Sequence, residues 1–236
     1  MIASLLLLAT YIVLGLPVAL ILIPWAVITG DLMPLYRTAM AVVRTGFRIA
    51  GIRVKAEGLE LVPAGVACIF MSNHVSNLDP PALFPLIPNR TSIYLKKSLM
   101  KIPILGYAMR LAEFVPVSRD GTVESAQESV RLAMAVLEKG IHITTFVEGT
   151  RSRDGRLLPF KKGPFYLAME SGAPCIPVSI SGTESMMRKG SLRIRPGVVR
   201  VVFHAPIYPA KVGDRDALMA AVRESIAAGL PQQMRG

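Results

Sequence analysis

The residues best suited to chemistry are a histidine and an aspartate five positions apart, His74 and Asp79. They stand in a polar stretch that follows the apolar run of residues 66–71. At this spacing the carboxylate can hydrogen-bond the imidazole and fix its tautomer, which leaves the other ring nitrogen to take a proton from a hydroxyl group. Histidine suits this role because its unperturbed pKa lies near neutrality. The alternative is that the two side chains only close a loop.

A second polar segment, residues 147–152, has the residue types of an anion site. Its glycine and hydroxyl residues can present backbone N–H groups to a phosphate monoester, and Arg151 can present a guanidinium fork. Glu148, beside Gly149, can accept a hydroxyl group or hold Arg151 in place. Arg119 and Lys96 are further candidate anion contacts near the same predicted sheet edge. The alternative is an ordinary surface loop with solvated charges.

Other catalytic and metal-binding patterns are absent from the sequence. It contains neither Gly-x-Ser-x-Gly nor the phosphate-loop pattern Gly-x-x-x-x-Gly-Lys-Ser/Thr. His142 and His204 stand in apolar runs, and Cys68 and Cys175 form no ligand pair. We therefore expect no metal and no cofactor. A base without a protein nucleophile points to direct transfer onto a substrate hydroxyl.

Strand-type and helix-type patterns alternate from residue 52 onward, which is typical of an α/β domain with a largely buried sheet. The predicted strands are residues 52–56, 66–71, 92–95, 114–117, 141–146, 175–180 and 198–204. The predicted helices are residues 122–139, 163–171 and 214–228, with Thr122 as a cap for the first. Without an internal boundary, residues 51–236 are predicted to form one domain whose mostly buried mixed sheet is flanked by helices.

The first 30 residues contain no charged side chain, and Asp31 is the first charge in the chain. As a helix, this segment would extend roughly 40 Å, which exceeds the roughly 30 Å hydrocarbon layer of a bilayer. Residues 1–50 are therefore predicted to be a membrane anchor followed by a basic amphipathic helix. Pro17 and Pro24 favour a kink or re-entry as alternatives to a span. A cleaved signal peptide is disfavoured, because no basic residue precedes the apolar run.

The basic helix of residues 34–50 carries Arg37, Arg44 and Arg48 on one side. It can lie among lipid headgroups, or it can pack on the domain with a solvated basic edge. If the anchor spans the membrane, the positive-inside bias places the domain in the cytoplasm. The net charge of +11 with 52% hydrophobic residues excludes intrinsic disorder. Because the basic residues are scattered, we expect no nucleic-acid partner.

Four segments of the sequence, in order, resemble the characteristic blocks of the glycerolipid acyltransferases, and among these the lysophosphatidic acid acyltransferases most. The His74–Asp79 pair with the prolines that follow it resembles the first block, and residues 114–119, ending at Arg119, resemble the second. Residues 146–152 and 173–180 resemble the third and fourth, and Lys96 resembles a family lysine. Two positions depart from the family pattern: Val147 replaces a proline, and Ser118 stands where an acidic or polar residue often precedes the arginine.

The resemblance implies a catalytic pair in which His74 is the general base and Asp79 orients it. The oxygen of a glycerol hydroxyl would attack the thioester of acyl-CoA or acyl carrier protein, without an acyl-enzyme. The acceptor would be lysophosphatidic acid and the product phosphatidic acid, in phospholipid biosynthesis. The implied phosphate-binding residues are Arg119, Glu148, Gly149, Arg151 and Lys96.

The same resemblance implies a helical pair embedded near one leaflet, membrane lipid as a partner, and a place on the cytoplasmic face of the inner membrane if the source is bacterial. Two alternatives remain open. The acceptor can be glycerol 3-phosphate, another lysophospholipid or a lyso-aminolipid. The chain can also be a non-catalytic, membrane-bound protein that binds anionic lipid.

Overall fold

The computed structural model describes residues 1–102, 105–117 and 122–236. Within those ranges one sheet of seven strands forms the centre of the molecule, in the order β1-β7-β6-β2-β5-β3-β4. The strands are β1 Ile52–Glu57, β2 Ile69–Ser72, β3 Thr91–Lys96, β4 Val115–Val117, β5 His142–Phe146, β6 Cys175–Ser181 and β7 Gly197–Phe203. Neighbouring strands are parallel except β6 and β7, so the sheet is mixed. The predicted α/β class with a mixed sheet is confirmed.

Helices cover both faces of this sheet. They are α1 Ile2–Thr10, α2 Leu16–Thr29, α3 Met33–Ile49, α4 Asp79–Leu83, α5 Leu105–Leu111, α6 Val123–Glu138, α7 Gly163–Ser171, α8 Thr183–Met186 and α9 Arg215–Gly229. Thr122 and Asp214 cap α6 and α9 by accepting hydrogen bonds from backbone N–H groups three residues later. The helices α4, α5 and α8 were not predicted, because helices of five, seven and four residues are too short for a periodic pattern.

The buried sheet has an apolar core on each face. In β2, Phe70 packs into the core beneath α3, and Ile69 and Met71 pack into the core shared with α6, α7 and α9. β2 begins three residues later than predicted, because the backbone N–H of Cys68 donates to the His142 ring at 2.9 Å. Burial of each large apolar side chain contributes about 1.5–3 kcal/mol to the stability of the fold. The sheet is therefore a stable base for the loops at its edge.

The N-terminal segment forms two packed helices. α1 and α2 are joined by a π-helical turn at Tyr11–Gly15 into one helix, Ile2–Thr29, long and apolar enough to cross a membrane by length and composition. α3 returns antiparallel to it: a Cβ atom on Gly46 would lie 2.8 Å from the Tyr11 ring. Arg44 donates to the carbonyl of Pro85 at 3.0 Å. α3 therefore packs on the domain, while its arginines Arg37, Arg44 and Arg48 stay exposed at the surface.

The parallel strands bring the predicted site residues to one edge of the sheet. Because β2, β3, β4, β5 and β6 run in the same direction, their carboxyl ends meet there. His74 follows β2, Lys96 ends β3, Glu148 follows β5, and Thr183 follows β6. This common edge is where the chemistry described below is assembled.

Candidate active site

The backbone around His74 is held in place by the loop after β5 and by β6. Its N–H donates to Oε1 of Glu148 at 2.7 Å, and its carbonyl accepts from the N–H of Ser152 at 2.8 Å. The preceding Asn73 bonds both the carbonyl and the N–H of Ile180 in β6, at 2.9 and 2.8 Å. Hydrogen bonds to β6 and to the loop after β5 therefore fix the backbone of the turn after β2.

The His74 ring is oriented by a buried carboxylate. Nδ1 of His74 lies 2.8 Å from Oδ2 of Asp79, which is fully buried. The same oxygen accepts the backbone N–H groups of Val75 and Ser76, each at 2.8 Å, and Oδ1 accepts the Thr183 hydroxyl at 2.5 Å. An oxygen that already accepts two backbone donors takes a third hydrogen from Nδ1, so Nε2 of the neutral ring carries a free lone pair. The loop-closing alternative thus accounts for only part of this arrangement.

Glu148 lies on the expected loop after β5, but its side chain makes different contacts from those expected. Glu148 is 1% exposed, and its two carboxylate oxygens accept the N–H groups of His74 and Leu158, at 2.7 and 2.9 Å. Burial raises the pKa of Glu148 to about 7, and the two N–H donors and Arg223 oppose that rise. A carboxylate enclosed in this way positions the backbone of His74. It forms no ion pair with Arg151, and its predicted part in phosphate binding stays a prediction.

The side chain of His74 lines a cavity of about 440 Å³ at the ends of β3, β4 and β5. The ring stacks on Phe146, with centroids 4.1 Å apart. Lys96 and Lys161 line the same cavity, whose remaining wall is mostly apolar. The apolar lining includes Tyr94, Leu95, Val117, Ala126, Val130, Phe146 and Pro164. The same cavity is therefore lined by a candidate base, by two cationic side chains and by a mostly apolar wall.

Lys161 and Thr183 were not among the expected site residues. The only sequence signal for Lys161 is a pair of lysines just before the start of α7. Thr183 lies 104 positions from Asp79, and no local pattern links them. Contacts between distant strand ends bring both residues to the site.

The backbone at residue 149 has a conformation that favours glycine. Its φ of +68° is left-handed, and a Cβ atom would lie 3.0 Å from Cγ of Lys161. Its N–H donates to the carbonyl of Phe146 at 2.9 Å, so this group is used within the turn. Gly149 therefore shapes the loop over which Lys161 runs. It also lines the cavity beside His74, and its part in phosphate binding stays a prediction.

Two further predicted anion contacts are Arg119 and Arg151. Arg119 and Ser118 lie outside the described residues. Arg151 is half-buried; its guanidinium has no hydrogen-bond or ion-pair partner within the described ranges, and it does not line the 440 Å³ cavity. Val147, the departure from the family's proline, is fully buried and donates its N–H to the carbonyl of Ser72 at 3.0 Å. A proline could not form that bond, because it has no N–H.

The cysteines and the other histidines are not arranged as a metal or nucleophile site. Among residues 1–102, 105–117 and 122–236 no group of three or more His, Cys, Asp or Glu side chains could hold a metal ion. Burial raises the pKa of the Cys68 thiol to about 11 and that of Cys175 to about 12. Both thiols are therefore neutral at physiological pH, and a neutral thiol is a poor nucleophile.

A family model described as acyltransferase matches residues 53–181. The chain belongs to the acyltransferase family. The matched residues run from β1 to the end of β6 and include His74, Asp79 and Glu148. The acyltransferase match leaves out the N-terminal helical pair and α9.

The chain is also similar in sequence to individual acyltransferases. The chain is 39% identical over 173 residues to a chloroplastic 1-acyl-sn-glycerol-3-phosphate acyltransferase of Brassica napus, covering 72% of this chain and 49% of that protein. It is 31% identical over 178 residues to the bovine (Bos taurus) 1-acyl-sn-glycerol-3-phosphate acyltransferase alpha, covering 75% and 62%. The chain thus spans about half the length of the plant relative and less than two thirds of the bovine one.

A solved structure extends the similarity to nearly the whole chain. The crystal structure of the 1-acyl-sn-glycerophosphate acyltransferase of Thermotoga maritima superposes with a TM-score of 0.80 at 27% identity, covering 95% of this chain and 93% of that one. The N-terminal helical pair and α9 therefore fall largely within the compared region.

Proposed function

We propose that this acyltransferase moves a fatty acyl group from a thioester to the sn-2 hydroxyl of 1-acylglycerol 3-phosphate, forming phosphatidic acid. The observation that carries the proposal is the His74 ring, held by a buried Asp79 and lining a cavity that it shares with two lysines. The names of the Brassica, bovine and Thermotoga relatives support the same acceptor.

In the proposed reaction, Nε2 of His74 removes the proton of the acceptor hydroxyl as the oxygen attacks the thioester carbonyl carbon. The tetrahedral intermediate then collapses: the carbon–sulfur bond breaks, and the imidazolium returns the proton to the departing thiolate. Asp79 stabilises the imidazolium in between. General-base catalysis of this kind contributes about 10²–10⁴-fold, and positioning of two substrates can contribute more. No cofactor is needed beyond the thioester of acyl-CoA or acyl carrier protein.

We assign the phosphate of the acceptor to Lys96 and Lys161, because both line the cavity that holds His74. Each has a neighbour, Lys97 or Lys162, that does not line it. Arg119 and Arg151 remain predicted contacts, since guanidinium groups bind phosphate in a bidentate manner.

The acceptor and the acyl chains are lipids, which suits the apolar N-terminal segment. Exposed large side chains on Ile2–Thr29 include Leu5, Val13, Leu20, Ile21, Trp25 and Ile28. We propose that this helix enters the lipid surface from the cytoplasmic face, with the arginines of α3 near anionic headgroups. If the source is bacterial, the membrane is the inner one.

The deciding experiment measures acyl transfer to lysophosphatidic acid in detergent micelles, with acyl-CoA and acyl carrier protein compared as donors. Glycerol 3-phosphate and lysophosphatidylcholine serve as alternative acceptors. We expect wild type to prefer lysophosphatidic acid and His74→Ala to lose turnover while it still folds. Normal transfer by His74→Ala would refute the assignment of the base. Absence of turnover in wild type would favour a lipid-binding protein.

Matched lysine variants test the acceptor site separately. We expect Lys96→Ala and Lys161→Ala to raise the KM for lysophosphatidic acid, and the neighbouring Lys97→Ala and Lys162→Ala to leave it unchanged. Equal effects from all four variants would indicate general electrostatic attraction instead of a phosphate site.

A further inference from the structure

An arginine outside the family match reaches the loop behind the active site. Arg223 lies on α9, and its Nη1 donates to the carbonyl of Leu158 at 2.8 Å while Nη2 donates to that of Leu157 at 3.4 Å. Its guanidinium also lies over the Phe160 ring, 5.3 Å from the centroid. One side chain therefore fixes residues 157–160 through two carbonyls and a ring.

The segment held by Arg223 is connected to the His74 backbone through Glu148. The N–H of Leu158 donates to Oε2 of Glu148 at 2.9 Å, and Oε1 of the same carboxylate accepts the N–H of His74 at 2.7 Å. Glu148 is buried, so no water competes for either bond. A shift of Leu158 would move the carboxylate, and the carboxylate would move His74.

We infer that Arg223 is a positioning residue for His74, acting through Leu158 and Glu148. Arginine suits this place because its planar fork can donate to two carbonyls at once and stack on a ring. Its charge adds a second effect, since it favours the ionised Glu148 that accepts both N–H groups. Lysine would keep the charge but would place a single ammonium group where two carbonyls must be reached.

The first test is hydrogen–deuterium exchange followed by mass spectrometry, which needs no activity. We compare wild type with Arg223→Met, Arg223→Lys and the control Arg215→Met. Arg215 lies on the same helix, but it bonds Asp216 and the Tyr166 hydroxyl, away from the loop. We expect faster exchange in peptides containing His74 and Leu158 for Arg223→Met, a smaller change for Arg223→Lys, and none for Arg215→Met. Unchanged exchange at His74 in Arg223→Met would overturn the inference.

The second test is a double-mutant cycle on turnover, and it rests on the proposed function. Misplacement of a catalytic group by about 1 Å costs about 10²-fold, so we expect Arg223→Met to lower kcat by about 10–100-fold with little change in either KM. If Arg223 acts through Glu148, the double variant Arg223→Met/Glu148→Gln should have the same kcat as Glu148→Gln alone. Multiplicative effects would overturn the inference, with circular dichroism confirming that each variant is folded.

The outcomes separate the two proposals. If wild type shows no acyl transfer, the proposed function fails, and the exchange experiment still decides whether Arg223 holds His74. If wild type transfers acyl groups but the Arg223 variants match the Arg215 control in exchange and kcat, the inference alone fails.

Discussion

Replacing Asp79 with asparagine removes one charge from the site while leaving nearly every atom in place. The amide oxygen of the introduced side chain can occupy the position of Oδ2 and accept the same three hydrogens, from His74, Val75 and Ser76. The amide nitrogen then faces the Thr183 hydroxyl, which can rotate to accept instead of donate. We therefore expect Asp79→Asn to fold, with a loss of about 1–3 kcal/mol in unfolding free energy.

The effect on catalysis should be far larger than the effect on folding. When His74 takes the substrate proton, the imidazolium and the Asp79 carboxylate become an ion pair joined at 2.8 Å. Two unit charges about 4 Å apart attract by about 4 kcal/mol at an effective dielectric constant of about 20. Since each 1.36 kcal/mol changes a rate tenfold, loss of this attraction should lower kcat by about 10³-fold.

The assay follows acyl transfer to lysophosphatidic acid at saturating donor, with urea unfolding measured on the same samples. Asp216→Asn, which removes an exposed carboxylate on α9, is the control and should match wild type. A folded Asp79→Asn whose kcat stays within about tenfold of wild type would refute the role assigned to the carboxylate, because it would leave less than about 1.4 kcal/mol for the ion pair.

Three further changes test the surroundings of the pair. Thr183→Val should lower kcat by about tenfold and stability by about 1.5–3 kcal/mol, because it removes a hydrogen bond to a buried charge, and Thr183→Ser should restore both. Gly149→Ala should lower the melting temperature more than Gly140→Ala, measured by calorimetry; both glycines have positive φ, but only Gly149 would place its Cβ against Lys161. For Glu148, the folded pKa of about 7 exceeds the ordinary value of 4.5, so the native state binds the extra proton and stability falls as pH rises between these values, by about 3 kcal/mol. Glu148→Gln should remove that slope in urea unfolding followed against pH.

The local part of the site could be predicted from sequence, and the distant part could not. His74 and Asp79 lie five positions apart in one turn, so their contact follows from local geometry. Glu148 was placed on the correct loop, but the pattern does not say that its carboxylate turns inward to backbone donors 10 and 74 positions away. Lys161 stands with Lys162 in the sequence, and only the folded loop over Gly149 shows which of the two lines the cavity.

The strand pattern was similarly predictable where burial sets it. Continuous apolar runs such as residues 175–180 indicate strands buried on both faces, and the structure has β6 there, wholly buried. β2 begins later than the sequence pattern predicts, and hydrophobic periodicity does not reveal the cause. The Cys68 N–H donates to the His142 ring instead of to a strand neighbour. Strand ends depend on such individual bonds, which is why the boundaries were less accurate than the strands themselves.

The two buried carboxylates at the site have different environments, and that difference suits the proposed chemistry. Asp79 receives four hydrogen-bond donors, including the ring that must become cationic. Glu148 receives two, and burial raises its pKa to about 7. The Asp79 carboxylate adds to the rise in the pKa of Glu148, whereas Arg223 and the two N–H donors oppose it. In the proposed reaction, the negative charge beside the His74 ring is that of Asp79, and it balances the imidazolium. Glu148 contributes two hydrogen bonds that hold the backbone of His74 and of Leu158 in place.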